Sequence, residues 1–118
     1  PQIKREWLKN KMQEWFRNSG LSVMPENLTK VVGFVSGDDF DVYLESGKES
    51  DRKSIIYFND KGETVKELGP AGGGYIIFNA PVGLATVTIV PAKSKSVTTQ
   101  VAYVDQFATH IMYTNLMY

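Results

Sequence analysis

Along the first eighteen residues, Ile3, Trp7, Leu8, Met12, Trp15 and Phe16 recur at steps of four, one, four, three and one. That spacing is the stripe of a 3.6-residue period, and it predicts an amphipathic α-helix over residues 2–18. Asn18-Ser19-Gly20 supplies the stop, with Gly20 suited to a left-handed cap. From Val31 onward the period changes to short runs of β-branched and aromatic residues separated by Gly, Pro, Asn, Asp and Ser. This is the pattern of an all-β sandwich, and seven strands are predicted. Residues 30–35 form the first, closed by Ser36-Gly37-Asp38-Asp39. In the second, residues 40–45, Phe40, Val42 and Leu44 point one way and Asp41, Tyr43 and Glu45 the other, so this strand is half buried. Residues 46–53 are polar and predict a mobile loop. Residues 55–58 are apolar on both sides, and Asn59-Asp60-Lys61-Gly62 has the chemistry of a tight turn into a weaker strand, residues 63–68. Strands 75–78 and 84–90 follow, with Pro81 and Pro91 bounding the second of them. In residues 97–113, Val97, Val101, Tyr103, Phe107, Ile111 and Tyr113 all fall on odd positions, which predicts one continuous inward face. Asp105-Gln106 reads either as a bend or as a turn between two strands.

A chain of 118 residues is one domain's worth, divided here into the helix, 1–20, and a β-sandwich, 21–118. It can bury a real core without staples. With no Cys, zinc–thiolate sites, thiol catalysis and disulfide scaffolds are excluded. Thirteen Lys+Arg balance thirteen Asp+Glu, which argues against a nucleic-acid partner. The balance conceals an asymmetry: residues 2–18 hold five cations and two carboxylates, residues 21–118 eight and eleven. Apolar runs are far shorter than the roughly 20 residues that cross a bilayer. The chain begins at Pro1 rather than Met, which reads as a processed product or an excised piece.

Candidate chemistry is sparse. His110 is the single histidine, and a Ser-His-Asp arrangement around it would have to draw on Asp105 and scattered serines, a spacing that gives no support; an outward-facing surface histidine is expected. Asp38, Asp39 and Asp41 offer oxygen ligands for calcium, but Asp and Gly are equally expected in a turn between strands. Residues 69–74 resemble a phosphate loop only in glycine content, since the Gly-Lys-Ser/Thr ending and a following helix are missing. Flexibility and contact with a partner backbone are the expectation for Gly72, Gly73 and Gly74. The helix carries the strongest candidates: Trp7, Leu8, Trp15 and Phe16 either pack on the domain itself, dock on a protein partner or another subunit, or, with the five cations, touch a membrane surface. Exposed tyrosines such as Tyr43 and Tyr57 would suit a carbohydrate ligand. No catalytic residue, metal site or cofactor is predicted.

Residues 74–89, with Gly74-Tyr75, Phe78, Pro81, Gly83 and Thr86-Val87, resemble the central stretch of carboxypeptidase regulatory-like domains, which are transthyretin-like (prealbumin-like) β-sandwiches. Val31-Val32-Gly33-Phe34-Val35 is similar to that family's opening strand and Asp41-Val42-Tyr43-Leu44 to its next. Residues 101–105 and 109–113 resemble its closing pair. The chain departs from the pattern at Gly37-Asp38-Asp39-Phe40, where the family places a Pro-Leu-x-Gly-Ala segment. The resemblance implies a transthyretin-like sandwich, so the expected fold is mainly β, a seven-stranded antiparallel sandwich preceded by the one N-terminal amphipathic helix that the apolar stripe predicts. It implies a non-catalytic module for protein–protein contact or assembly in the periplasm, in a secreted protein or at the cell surface. A carbohydrate-binding accessory module and a soluble fragment of a pilin-like or membrane-anchored assembly protein are the alternatives.

Overall fold

The apolar stripe forms helix α1, Arg5–Ser19, in the computed structural model of the chain, which describes residues 3–26, 28–45, 55–93, 96–106 and 108–116. Glu6 in the first turn and Arg17 in the last complement the helix dipole, and Gly20 ends the helix with φ +80°. The described residues then form eight strands, not seven: β1 Lys30–Ser36, β2 Phe40–Glu45, β3 Ile55–Phe58, β4 Thr64–Val65, β5 Gly74–Phe78, β6 Gly83–Pro91, β7 Thr98–Val104 and β8 Thr109–Asn115. The eighth arises because the chain turns after Val104, so the last apolar stretch is two strands in two different sheets. Residues 46–53 and Phe107 lie outside the described residues.

One sheet has five strands in the order β4-β3-β5-β1-β8, the other three in the order β2-β6-β7. All pairings are antiparallel except β1 with β8, which run parallel from Lys30 opposite Thr109 to Ser36 opposite Asn115. This departs from the wholly antiparallel expectation. A parallel neighbour requires a long crossover, and here the rest of the β domain supplies it.

The order of the layers follows from the side chains of the five-stranded sheet. Tyr57, Tyr75, Ile77, Val31, Val35 and Met112 point to one side and share a core with Phe40, Val42 and Leu44 of β2, Ala85, Val87 and Ile89 of β6, and Ala102 and Val104 of β7. Val32, Phe58, Ile76 and Phe78 point to the other side and are covered by α1 through Trp15, with Leu28 beside it. β5 sits between these two cores and is buried at all five positions. Close contact between the layers depends on Gly33, which lies directly opposite Tyr75. A Cβ at Gly33 would stand 2.1 Å from the Tyr75 ring.

Tyr75 is completely buried, and its hydroxyl donates to the Met112 sulfur at 3.9 Å. Burial pushes its phenol well above the ordinary value near 10. Because the folded state then keeps a proton that the unfolded state releases, stability is fully present below pH 10 and falls as pH rises beyond it. Urea melts at pH 8 and at a pH near 11 are expected to show a larger loss for the wild type than for Tyr75→Phe. Equal losses would show that Tyr75 does not carry this alkaline sensitivity.

Candidate binding surfaces

The helix stripe faces its own sheet. Trp15 is 3% exposed and tilts against Phe78 with ring centroids 5.7 Å apart, while Trp7, Leu8 and Phe16 are partly buried against the same cluster. Trp7 meets Phe58 edge-on at 5.0 Å, and its indole Nε1–H donates to the Gly62 carbonyl oxygen at 2.8 Å. One turn on, the buried Lys11 donates from Nζ to Thr64 Oγ1 at 2.6 Å, and the Thr64 hydroxyl donates to Glu14. Lys11 Nζ also lies 3.6 Å from Glu14 Oε1. These ties bind α1 to the β3–β4 hairpin. The Trp15 indole N–H is buried and has no hydrogen-bond partner among the described residues, so the ring is held there by packing.

The glycine run is anchored to the fold. Gly72 donates to the Val35 carbonyl and Val35 to that of Gly73, both at 2.9 Å. A Cβ at Gly73 would stand 2.0 Å from the Phe58 carbonyl oxygen, and one at Gly74 2.0 Å from that of Gly33. The backbone that these glycines let approach is the chain's own. Of the three, only Gly72, at φ +88°, is not closely approached, since a Cβ there would meet Asp60 Cβ at 3.8 Å. Together with Trp7, Phe34, Phe58 and Asp60 it lines a cleft of about 340 Å³. On the far side of Phe34 a second hollow of about 320 Å³ reaches Ser36, Tyr113 and Asn115. The floor is a series of rings: Phe34 stacks on Tyr113 at 5.5 Å with 20° between planes and meets Phe58 edge-on.

The three aspartates serve the turns. Asp38, 4% exposed, accepts from the backbone N–H of Asp39 (2.8 Å) and of Lys93 (2.9 Å). Asp39 accepts from Ala71 N at 2.9 Å. Asp41 accepts from the hydroxyls of Tyr57 (2.5 Å) and Tyr43 (3.2 Å). Among the described residues, no group of three metal-ligating side chains comes together. Tyr57 is therefore no sugar platform: its ring is buried, edge-on to Phe40 at 5.8 Å, and its hydroxyl is committed to Asp41 and to the Val42 N–H. Tyr43 is half buried. His110 lies opposite Val31 on the core-facing parity of β8 and is half buried, not outward as expected. Asp105 is half buried just beyond β7.

The predicted inward face of residues 97–113 is turned outward. Val97, Val101, Tyr103, Ile111 and Tyr113 are 44–65% exposed, and Ala102, Val104, Met112 and Thr114 are buried instead. Both parities of β7 are apolar, so alternation could not choose between them. Register does: Ala102 pairs with Ala85 and faces the core, which leaves Tyr103 beside Leu84 and Val101 beside Thr86 on the outer face. Leu84 is 73% exposed. Beyond this face lies an open edge, since β7 has a single strand neighbour among the described residues. No protein-family model matches the chain, and neither does any curated protein sequence.

Trp15 separates a packed helix from a free arm. Trp15→Ala is expected to cost about 3–5 kcal/mol by urea denaturation, and Trp15→Phe, which keeps a ring and removes the unpartnered N–H, less than about 1.5 kcal/mol. A wild-type midpoint for Trp15→Ala would show that the helix adds nothing to the core.

Proposed function

We propose that this chain is a non-catalytic binding module that makes protein–protein contacts through the outer face of β6–β7 and the β7 edge, with self-assembly as its mode. The observation that carries this reading is the pairing of Leu84 with Tyr103, beside Val101, all more than half exposed on a strand that has one strand neighbour among the described residues. Isolated apolar residues on a surface need no explanation, but a contiguous group at an open edge does. Two β7 edges related by a two-fold axis would join two three-stranded sheets into one and bring the exposed Val101 and Tyr103 of both copies side by side across the new seam. The two sheets over one core support a sandwich, and the resemblance of residues 74–89 supports its transthyretin-like type. That resemblance is also what supports action at the cell surface or in the periplasm.

Sedimentation velocity over a concentration series tests the reading. The wild type is expected to associate as concentration rises. Val101→Lys, which places a charge on the exposed face at a stability change of about 0.5 kcal/mol or less, is expected to stay monomeric. A wild type that is monomeric throughout would overturn self-assembly.

A carbohydrate ligand is the second reading, favoured by the Phe34–Tyr113 stack beside Ser36 and Asn115, whose side chains are hydrogen-bonded to each other at 3.2 Å. Tyr113 is 60% exposed, so its ring is accessible where that of Tyr57 is not. In affinity electrophoresis with neutral polysaccharides, a retarded wild type and an unretarded Tyr113→Ala of unchanged melting temperature are expected. Equal mobility of the two on every polysaccharide would remove this reading.

A further inference from the structure

α1 covers only part of the outer face of the five-stranded sheet, and a groove of about 500 Å³ remains between its flank and β8. The apolar lining comes from three places: Ile3 ahead of the helix, Leu8 and Met12 one turn apart on it, and Ile111 on β8. Ile111 is 44% exposed, so this lining is open to water. The charged lining is of one sign. Arg5 and Lys9 stand on successive turns of α1, and Lys30 opens β1 directly beside Thr109. No carboxylate lines the groove, and none among the described residues lies within 4.0 Å of these three cations. Glu14, an acid of the same helix, is drawn to the other side by Lys11 and Thr64.

We propose that this groove binds a monomeric fatty carboxylate, its chain along Ile3, Leu8, Met12 and Ile111 and its head group among Arg5, Lys9 and Lys30. Apolar walls with cations of a single sign at the rim are complementary to an apolar chain that ends in an anion. The size selects a small molecule: small-ligand sites span roughly 300–1,000 Å³, whereas a stable protein contact takes roughly 800 Å² from each partner. A bilayer surface fits less well, because the exposed helix positions, Arg5, Glu6, Lys9, Asn10, Gln13, Arg17 and Asn18, are all polar, and the apolar stripe is packed against the sheet. The site is separate from the β6–β7 face, so it stands or falls independently of self-assembly.

Isothermal titration with decanoate, decanol and decyltrimethylammonium, all below their micelle concentrations, is the test, with amide and methyl chemical shifts to locate binding. Decanoate is expected to bind at least tenfold more tightly than either of the others, with shifts centred on Leu8, Met12 and Ile111. The double variant Arg5→Glu with Lys9→Glu is expected to lose at least tenfold in decanoate affinity. Both side chains are exposed, so its melting temperature should hold. Should it not, the wild type still decides, because decanoate affinity must fall between about 0.05 and 0.5 M salt while that of decanol does not. Equal affinity for the three amphiphiles, or shifts elsewhere on the molecule, would overturn the proposal. So would binding to phosphatidylglycerol vesicles or to an acidic amphipathic peptide without binding to decanoate.

Discussion

Removal of β5 from water on both faces is the constraint from which the other layers follow. A strand with large side chains on alternate sides needs a cover for each, and Tyr75 and Ile77 are covered by the three-stranded sheet while Ile76 and Phe78 are covered by α1. A half-polar strand such as β2 needs one cover only, for Phe40, Val42 and Leu44, because Asp41, Tyr43 and Glu45 face away from the core. The helix is thus a third layer of the domain, and its two tryptophans are part of what makes the sheet stable.

Close packing in the central layer in turn restricts the neighbours of β5. Gly33 leaves room for the Tyr75 ring, and Gly73 and Gly74 let the β3 and β1 backbones pass within contact distance. The run of glycines that looked like a flexible loop is a crossing point of strands. The turn aspartates act in the same way close by: Asp38 and Asp39 tie their own turn to Ala71 and Lys93 through backbone N–H groups. Surface left for recognition is therefore what the two cores did not need, namely the outer faces of β6–β7, the ring series ending at Tyr113, and the flank of α1.

How legible this was in the sequence varied with how polar the opposite face is. β2 and β6 were readable because Asp41 and Glu45, or Thr86 and Thr88, mark the side away from the core. The stripe of α1 was readable for the same reason, though not what it packs on, because a stripe has no address. β7 and β8 misled, since Val101 and Tyr103 compete with Ala102 and Val104, and only pairing with β6 settles the parity. The cleft at Phe34 was invisible to local pattern, being assembled from the segment before the helix, β1, the β3–β4 turn and the glycine run. The groove beside α1 needed Lys30 and Thr109 to be neighbours, which follows from a parallel pairing that no short-range signal announces.

The place of β8 has a consequence for how the molecule is made. Of the described strands β1 comes first in the chain and β8 last, and paired positions such as Ser36 and Asn115 are 79 positions apart in sequence. Contacts so far apart in sequence slow folding, because a long loop must close before they reward it. Until β8 is in place, one side of β1 has no strand partner among the described residues. A neighbouring chain's β8 has the same shape and the same register. Because β8 joins the five-stranded sheet through β1 alone among the described strands, exchange of that strand between copies is the misassembly this topology must avoid.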